Sequence, residues 1–171
     1  MTAEYLNFKE TMTIELTKYI QYQARDLTRA DLDRLVLDLP ALRDLSAKIP
    51  LGSYPYLADQ IEFLCRFVEE TLVTQKSDVV DDAVAEAAFA LWYFQRHADL
   101  IPDSIPHIGA LDDAMVVGMV LRRHDQTFKR SSHAYLLRNP DQEFDVDDLL
   151  SVIGPLRVTS FCSVSGTSER A

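Results

Sequence analysis

The sequence predicts an all-α fold, a compact multi-helix bundle around a central antiparallel buried helical hairpin. Three observations predict it. Apolar residues recur at three- and four-residue steps along most of the chain, and no segment shows the sustained alternation of a half-buried strand. Two segments, one from about Val79 to Arg96 and one from about Ala110 through Leu121, are apolar nearly all round, as helices in the middle of a bundle are. Between them the stretch DLIPDSIPHIGALDD, Asp99 to Asp113, holds two prolines and a glycine, which stop one helix and turn the chain before the next.

The elements follow in order. Tyr5, Phe8, Met12, Leu16 and Tyr19 make one apolar stripe on an otherwise polar first helix. A second helix opens at Thr28, whose spacing to Asp31 fits a capping box, and carries Leu32, Leu35, Val36, Leu39 and Leu42 on one face. Pro40 lies inside it, so a kink or a restart is expected there. The loop KIPLGSYPY is a clear break, and the third helix has the cleanest stripe: Leu57, Ile61, Leu64, Cys65, Val68 and Leu72. The two buried segments form the hairpin. Past Arg122 the chain turns polar, and AYLLRNP and DVDDLLSVIGP suggest two short helices, the second capped by Asp145 and stopped by Gly154 and Pro155. From Thr159 the Ser-rich tail is aperiodic and is expected to be mobile. The domain reading is one helical domain over 1–158, with the hairpin over 83–123 and a tail over 159–171.

Composition narrows the function. The 171 residues suffice for one domain with a proper core, and 47 % hydrophobic against 26 % charged residues is globular composition. A formal charge of -10 repels nucleic-acid phosphates and anionic lipid, so no nucleic-acid partner is expected. Cys65 and Cys162 lie far apart with no CxxC spacing, which points to a reducing compartment rather than a disulfide framework. The N-terminus has scattered charges and no apolar h-region, unlike a signal peptide. The longest apolar runs fall short of the roughly 20 residues that span a bilayer. A cytoplasmic protein is expected.

The acids of the joint allow two readings. In the structural one, Asp112 and Asp113 occupy the first turn of the second hairpin helix, where carboxylates suit the positive end of the dipole, and Asp99 and Asp103 accept main-chain N–H bonds in the turns. In the chemical one, Asp99, Asp103, Asp112 and Asp113 converge, with His97 and His107 as auxiliary ligands, on a divalent metal that could activate water. The structural reading is preferred, with no cofactor expected, because the spacing matches no metal motif and Asp is a common cap and turn residue.

The run ALWYFQRHADLIPDSIPHIGALDDAMVVGMVLRR resembles the signature of the YkvA-like family of uncharacterised, mostly bacterial proteins, with Asp99, Ile101, Pro102, Asp103, Ile105, Pro106, Gly109, Asp112 and Asp113 in register. The resemblance covers Ala83 to Arg123 and implies a helical hairpin domain of unknown function. Some relatives place such a hairpin near membranes. His97 or Ala98 stands where the family often has proline, and His107 where an apolar residue is usual.

Glu86 is the lone charge from Ala83 to Phe94 of the first buried helix; it is either a catalytic acid or, as antiparallel pairing suggests, the ion-pair partner of Arg122 or Arg123. The stretch RRHDQTFKRSSH, a basic cluster in an acidic chain, suits a helix end or an acidic partner segment. Trp92, Tyr93 and Phe94 are expected to pack in the core. There is no GxSxG, P-loop or HExxH motif. The preferred function is therefore a non-enzymatic interaction module that binds a protein partner or forms a homo-oligomer, with Tyr5, Phe8, Met12 and Leu16 as the contact face. Metal-dependent hydrolysis or metal binding is the alternative, and peripheral membrane association a third that the charge disfavours.

Overall fold

The computed structural model describes residues 3–49, 54–74, 80–96, 110–141, 146–150, 152–153 and 156–157, with backbone alone for 3–12, 146, 152–153 and 156–157. The elements are α1 (Ala3–Arg25), α2 (Arg29–Ser46), α3 (Leu57–Thr74), α4 (Asp82–Arg96), α5 (Leu111–Arg123), α6 (Asp125–Arg138), α7 (Val146–Leu150), β1 (Val152–Ile153) and β2 (Leu156–Arg157). The all-α bundle is thus the observed architecture.

α4 is the hub. From Ala83 to Leu91 every residue is buried, and α1, α2, α3 and α5 all pack on it. Ala83, Ala85, Ala87, Ala88 and Ala90 leave little side chain between this helix and its neighbours, so several helices can approach it closely at once. α4 and α5 run antiparallel: Glu86 near the start of α4 meets Arg123 at the end of α5, and Tyr93 near the end of α4 meets Asp112 at the start of α5.

α2 and α3 form a second antiparallel pair. Leu32, Leu35, Leu39 and Leu42 face Ile61, Leu64, Cys65 and Val68 in one core, and the pair is stitched outside by Arg43 to Glu62 and Glu69, at 2.9 Å each. The Arg29 guanidinium also donates to the Leu72 carbonyl, satisfying an acceptor at the C-terminal end of α3. At the start of α2 the capping box forms in full: Asp31 N–H donates to the Thr28 hydroxyl, and the Thr28 amide donates back to the Asp31 carboxylate at 2.9 Å. The Thr28 hydroxyl and amide together hold the Asp31 carboxyl below its ordinary 3.8. Burial pushes the Cys65 thiol the other way, up to about 12, so it behaves as a small apolar side chain.

Three local expectations are corrected. α2 does not restart at Pro40: the helix runs uninterrupted from Arg29 to Ser46, with the ring on the exposed side, where water can serve the carbonyl that loses its donor. The short helix read at AYLLRNP is longer: α6 runs from Asp125 to Arg138, taking in the polar stretch, with Phe128 buried in the bundle. The segment read as one helix up to Gly154 is a single turn, α7, followed by an antiparallel strand pair with Val152 opposite Arg157 and Ile153 opposite Leu156. A pair two residues long offers no alternation to detect. Asp145, Gly154, Pro155 and the tail from Thr159 lie outside the described residues.

α6 runs alongside α3 in the same direction. The Phe128 ring lies edge-on to Phe63 and Phe67, with centroids at 5.5 and 4.7 Å, while Arg66 covers the Tyr135 ring at 4.3 Å. α7 is tethered by the buried Gln60 amide, which donates to the Leu149 carbonyl at 3.0 Å.

Leu64 is fully buried in the core, so Leu64→Ala removes a well-packed side chain that its neighbours can only partly replace. A loss of about 2–5 kcal/mol is expected, read from the shift in denaturant midpoint at unchanged slope.

Candidate functional site

The motif end of the hairpin begins with Asp112 and Asp113 in the first turn of α5, only 4 % and 3 % exposed. Carboxylates this deep require donors. One is Tyr93, whose hydroxyl donates to Asp112 Oδ2 at 2.8 Å from the facing end of α4. Tyr54, buried just before α3, also approaches: burial first, and then the Asp112 carboxylate, raise its phenol above the usual 10.0. Tyr93 is therefore more than a packed ring, since it presents an apolar body to the core and a polar tip to the acid. The metal reading required Asp99, Asp103, Asp112 and Asp113 to converge, with His97 and His107 nearby. The structure describes only Asp112 and Asp113 of these; the other four lie outside the described residues. Among the described residues no three His, Cys, Asp or Glu side chains gather around a common point.

The opposite end of the hairpin holds Glu86, 3 % exposed. Its carboxylate accepts from Arg123 Nε at 3.0 Å, and His124 Nε2 donates to its Oε2 at 2.9 Å. Arg123 is in turn held by Gln21 of α1, whose amide oxygen accepts from the guanidinium. Of the two arginines expected beside Glu86, the structure uses Arg123; Arg122, one position round the helix, is exposed. The third member, His124, stands where α5 ends and α6 begins, one residue beyond the pairing the hairpin register suggests. Extending that register by one residue would have found it.

A polar cleft of about 160 Å³ opens between α1 and α4 beside this cluster, lined by Gln21, Ala24, Arg25, Asp82, Ala85 and Glu86. Glu86 is the one buried acid on its wall. With both oxygens accepting from neighbours, that carboxylate is committed to holding α4, α5 and the α6 corner together, an arrangement suited to structure rather than proton transfer.

The expected contact face divides. Leu16 is partly buried and packs against the core, while the side chains of Tyr5, Phe8 and Met12 lie outside the described residues. Tyr19, from the same stripe, meets Phe89 edge-on at 5.7 Å while staying 40 % exposed.

Comparison with known proteins follows the hairpin. A family model described as a protein of unknown function (DUF1232) matches residues 83–119, from the start of α4 to near the end of α5. No curated protein and no solved structure matches the chain. The matched stretch contains Glu86, Tyr93, Asp112 and Asp113, whereas Arg123 and His124 lie just outside it. No helix among the described residues is long and apolar enough to cross a membrane.

Tyr93→Phe keeps the packed ring but deprives the buried Asp112 oxygen of its donor, and a cost of about 1.5–3 kcal/mol is expected by denaturant unfolding. Glu86→Ala leaves Arg123, which is 37 % exposed and can rehydrate. Its cost is accordingly expected at about 1–3 kcal/mol, below the 3–5 kcal/mol typical of stranding a fully buried charge, measured in the same way.

Proposed function

We propose that this chain is a non-enzymatic helical module that works by associating with a protein partner, most directly a second copy of itself, through the N-terminal part of α1. The observation that carries the reading is the register of α1 against α4. The two are antiparallel, with Ala24 and Gln21 beside Ala85 and Glu86, and Tyr19 on Phe89. Seven residues before Tyr19 is Met12, and seven after Phe89 is Arg96, where α4 ends. α1 has 23 residues and α4 has 15, about 34 Å against about 22 Å at the α-helical rise. The first turns of α1 therefore run beyond the end of α4. Thr13 fits this, being exposed although it lies one heptad from the buried Ile20 and so on nearly the same side. Tyr5, Phe8 and Met12 continue the apolar stripe onto that extension.

The engagement of both buried acid clusters by neighbouring side chains also favours a binding role over a catalytic one. The YkvA-like character of the hairpin belongs to the same proposal, supported by the motif from Asp99 to Asp113 and by the match over residues 83–119. A bacterial, cytoplasmic setting goes with it, supported by the sparse cysteines.

Size-exclusion chromatography with light scattering tests the reading. The wild-type chain is expected to self-associate, and the double variant Phe8→Lys, Met12→Glu to shift to monomer with unchanged helicity. A wild-type chain that stays monomeric at high concentration overturns it. A melting temperature that drops on adding chelator replaces it with the metal reading centred on Asp99, Asp103, Asp112 and Asp113.

A further inference from the structure

α5 and α6 are nearly one helix. They are separated only by His124, whose φ of -109° and ψ of 24° lie beside the helical region. Its N–H already donates to the Val120 carbonyl at 3.2 Å, and its carbonyl accepts from Phe128 N–H at 3.0 Å, both with α-helical spacing. From Met119 to Asn139 there is neither glycine nor proline, and the N-terminal end of α6 at the corner has no side-chain cap. Rotating His124 by roughly 50° in φ and 65° in ψ gives ordinary α-helix. The amides of Asp125, Gln126 and Thr127 would then reach the carbonyls of Leu121, Arg122 and Arg123.

What holds the corner bent lies outside the corner. His124 Nε2 is bonded to the buried Glu86, and Phe128, fully buried, fills a seat made by Phe63 and Phe67. The rest of α6 is held lightly. Only Phe128 and Ser132 are buried along it, and the Ser132 hydroxyl has no hydrogen-bond partner among the described residues. Its other ties are the Arg66 guanidinium over the Tyr135 ring and two surface ion pairs, Lys129 with Asp147 and Arg138 with the half-buried Glu70.

We propose that the α5–α6 corner is a hinge through which two copies of this chain exchange α6. His124 becomes helical, α5 and α6 merge, and Phe128 of each copy enters the Phe63–Phe67 seat of the other. The exchange keeps the contacts of α6 with α3, because the seat is the same in both copies, and completes the backbone ladder across the corner while releasing the His124 bond to Glu86. The proposal deepens the self-association reading by naming a second copy as the occupant, and rests on it only to that extent, since it does not use α1.

The test compares full-length His124→Ala with His124→Gly, each refolded from denaturant at low and high protein concentration and analysed by size exclusion with light scattering. Both variants lose the bond to Glu86, so they differ at the hinge in helix propensity alone. The alanine chain is expected to favour the dimer by about fivefold per hinge over the glycine chain. In wild-type dimer assembled from half-labelled chains, isotope-filtered NMR is expected to show Phe128–Phe67 contacts between chains. Equal dimer fractions in the two variants, no dimer in either, or Phe128–Phe67 contacts confined to one chain would overturn the exchange. Adding Phe8→Lys and Met12→Glu separates the two ideas: an exchanged dimer survives them, whereas a dimer that disappears belongs to α1 and counts against the hinge.

Discussion

The burial of α4 governs the rest of the molecule. A helix with apolar residues on every side leaves no face for water, so it must be surrounded, and α1, α2, α3 and α5 supply the enclosure. Its alanines permit that crowding. Once four helices are committed to one, their directions are largely set: α5 lies antiparallel to α4, α1 lies antiparallel on another side, and the α2–α3 pair closes the remainder through the leucine stripe of α2 and the apolar face of α3.

Such a centre has consequences for polar groups near it. Glu86 is the one charged side chain buried along α4, and the structure places a cation and an imidazole on it from the α5–α6 corner. At the other end of the hairpin Asp112 is buried with equal care under the Tyr93 hydroxyl. The two clusters sit at opposite ends of the same helix pair and fix its register as two pins do, each being intolerant of a slip that would strand a buried charge. The family match over residues 83–119 spans three of the five residues of these two clusters, Glu86, Tyr93 and Asp112, and leaves out Arg123 and His124.

Away from the hub the structure is lighter. α6 buries one large side chain, Phe128, α7 is a single turn, and the first turns of α1 extend past the helix that supports the rest of it. Buried chemistry is occupied with holding the hairpin, while the features capable of meeting another chain lie at this periphery. That division is what supports the association role proposed above.

The sequence alone determined the five helices α1 to α5, the hairpin between the two most apolar of them, the Thr28–Asp31 cap and the pairing of Glu86 with an arginine near the end of α5. Each is a local pattern, or a local pattern carried across a hairpin by counting, and periodicity reports such things directly. It did not determine that α2 would run uninterrupted through Pro40, that α6 would be long, or that a two-residue strand pair would follow α7. It also did not determine that Leu16 turns inward, that His124 rather than Arg122 completes the Glu86 cluster, or that Tyr93 and Tyr54 attend Asp112. Those were decided by tertiary structure, because each depends on which distant residue arrives opposite a given side chain, and solvent exposure and partnership arise only when the helices pack.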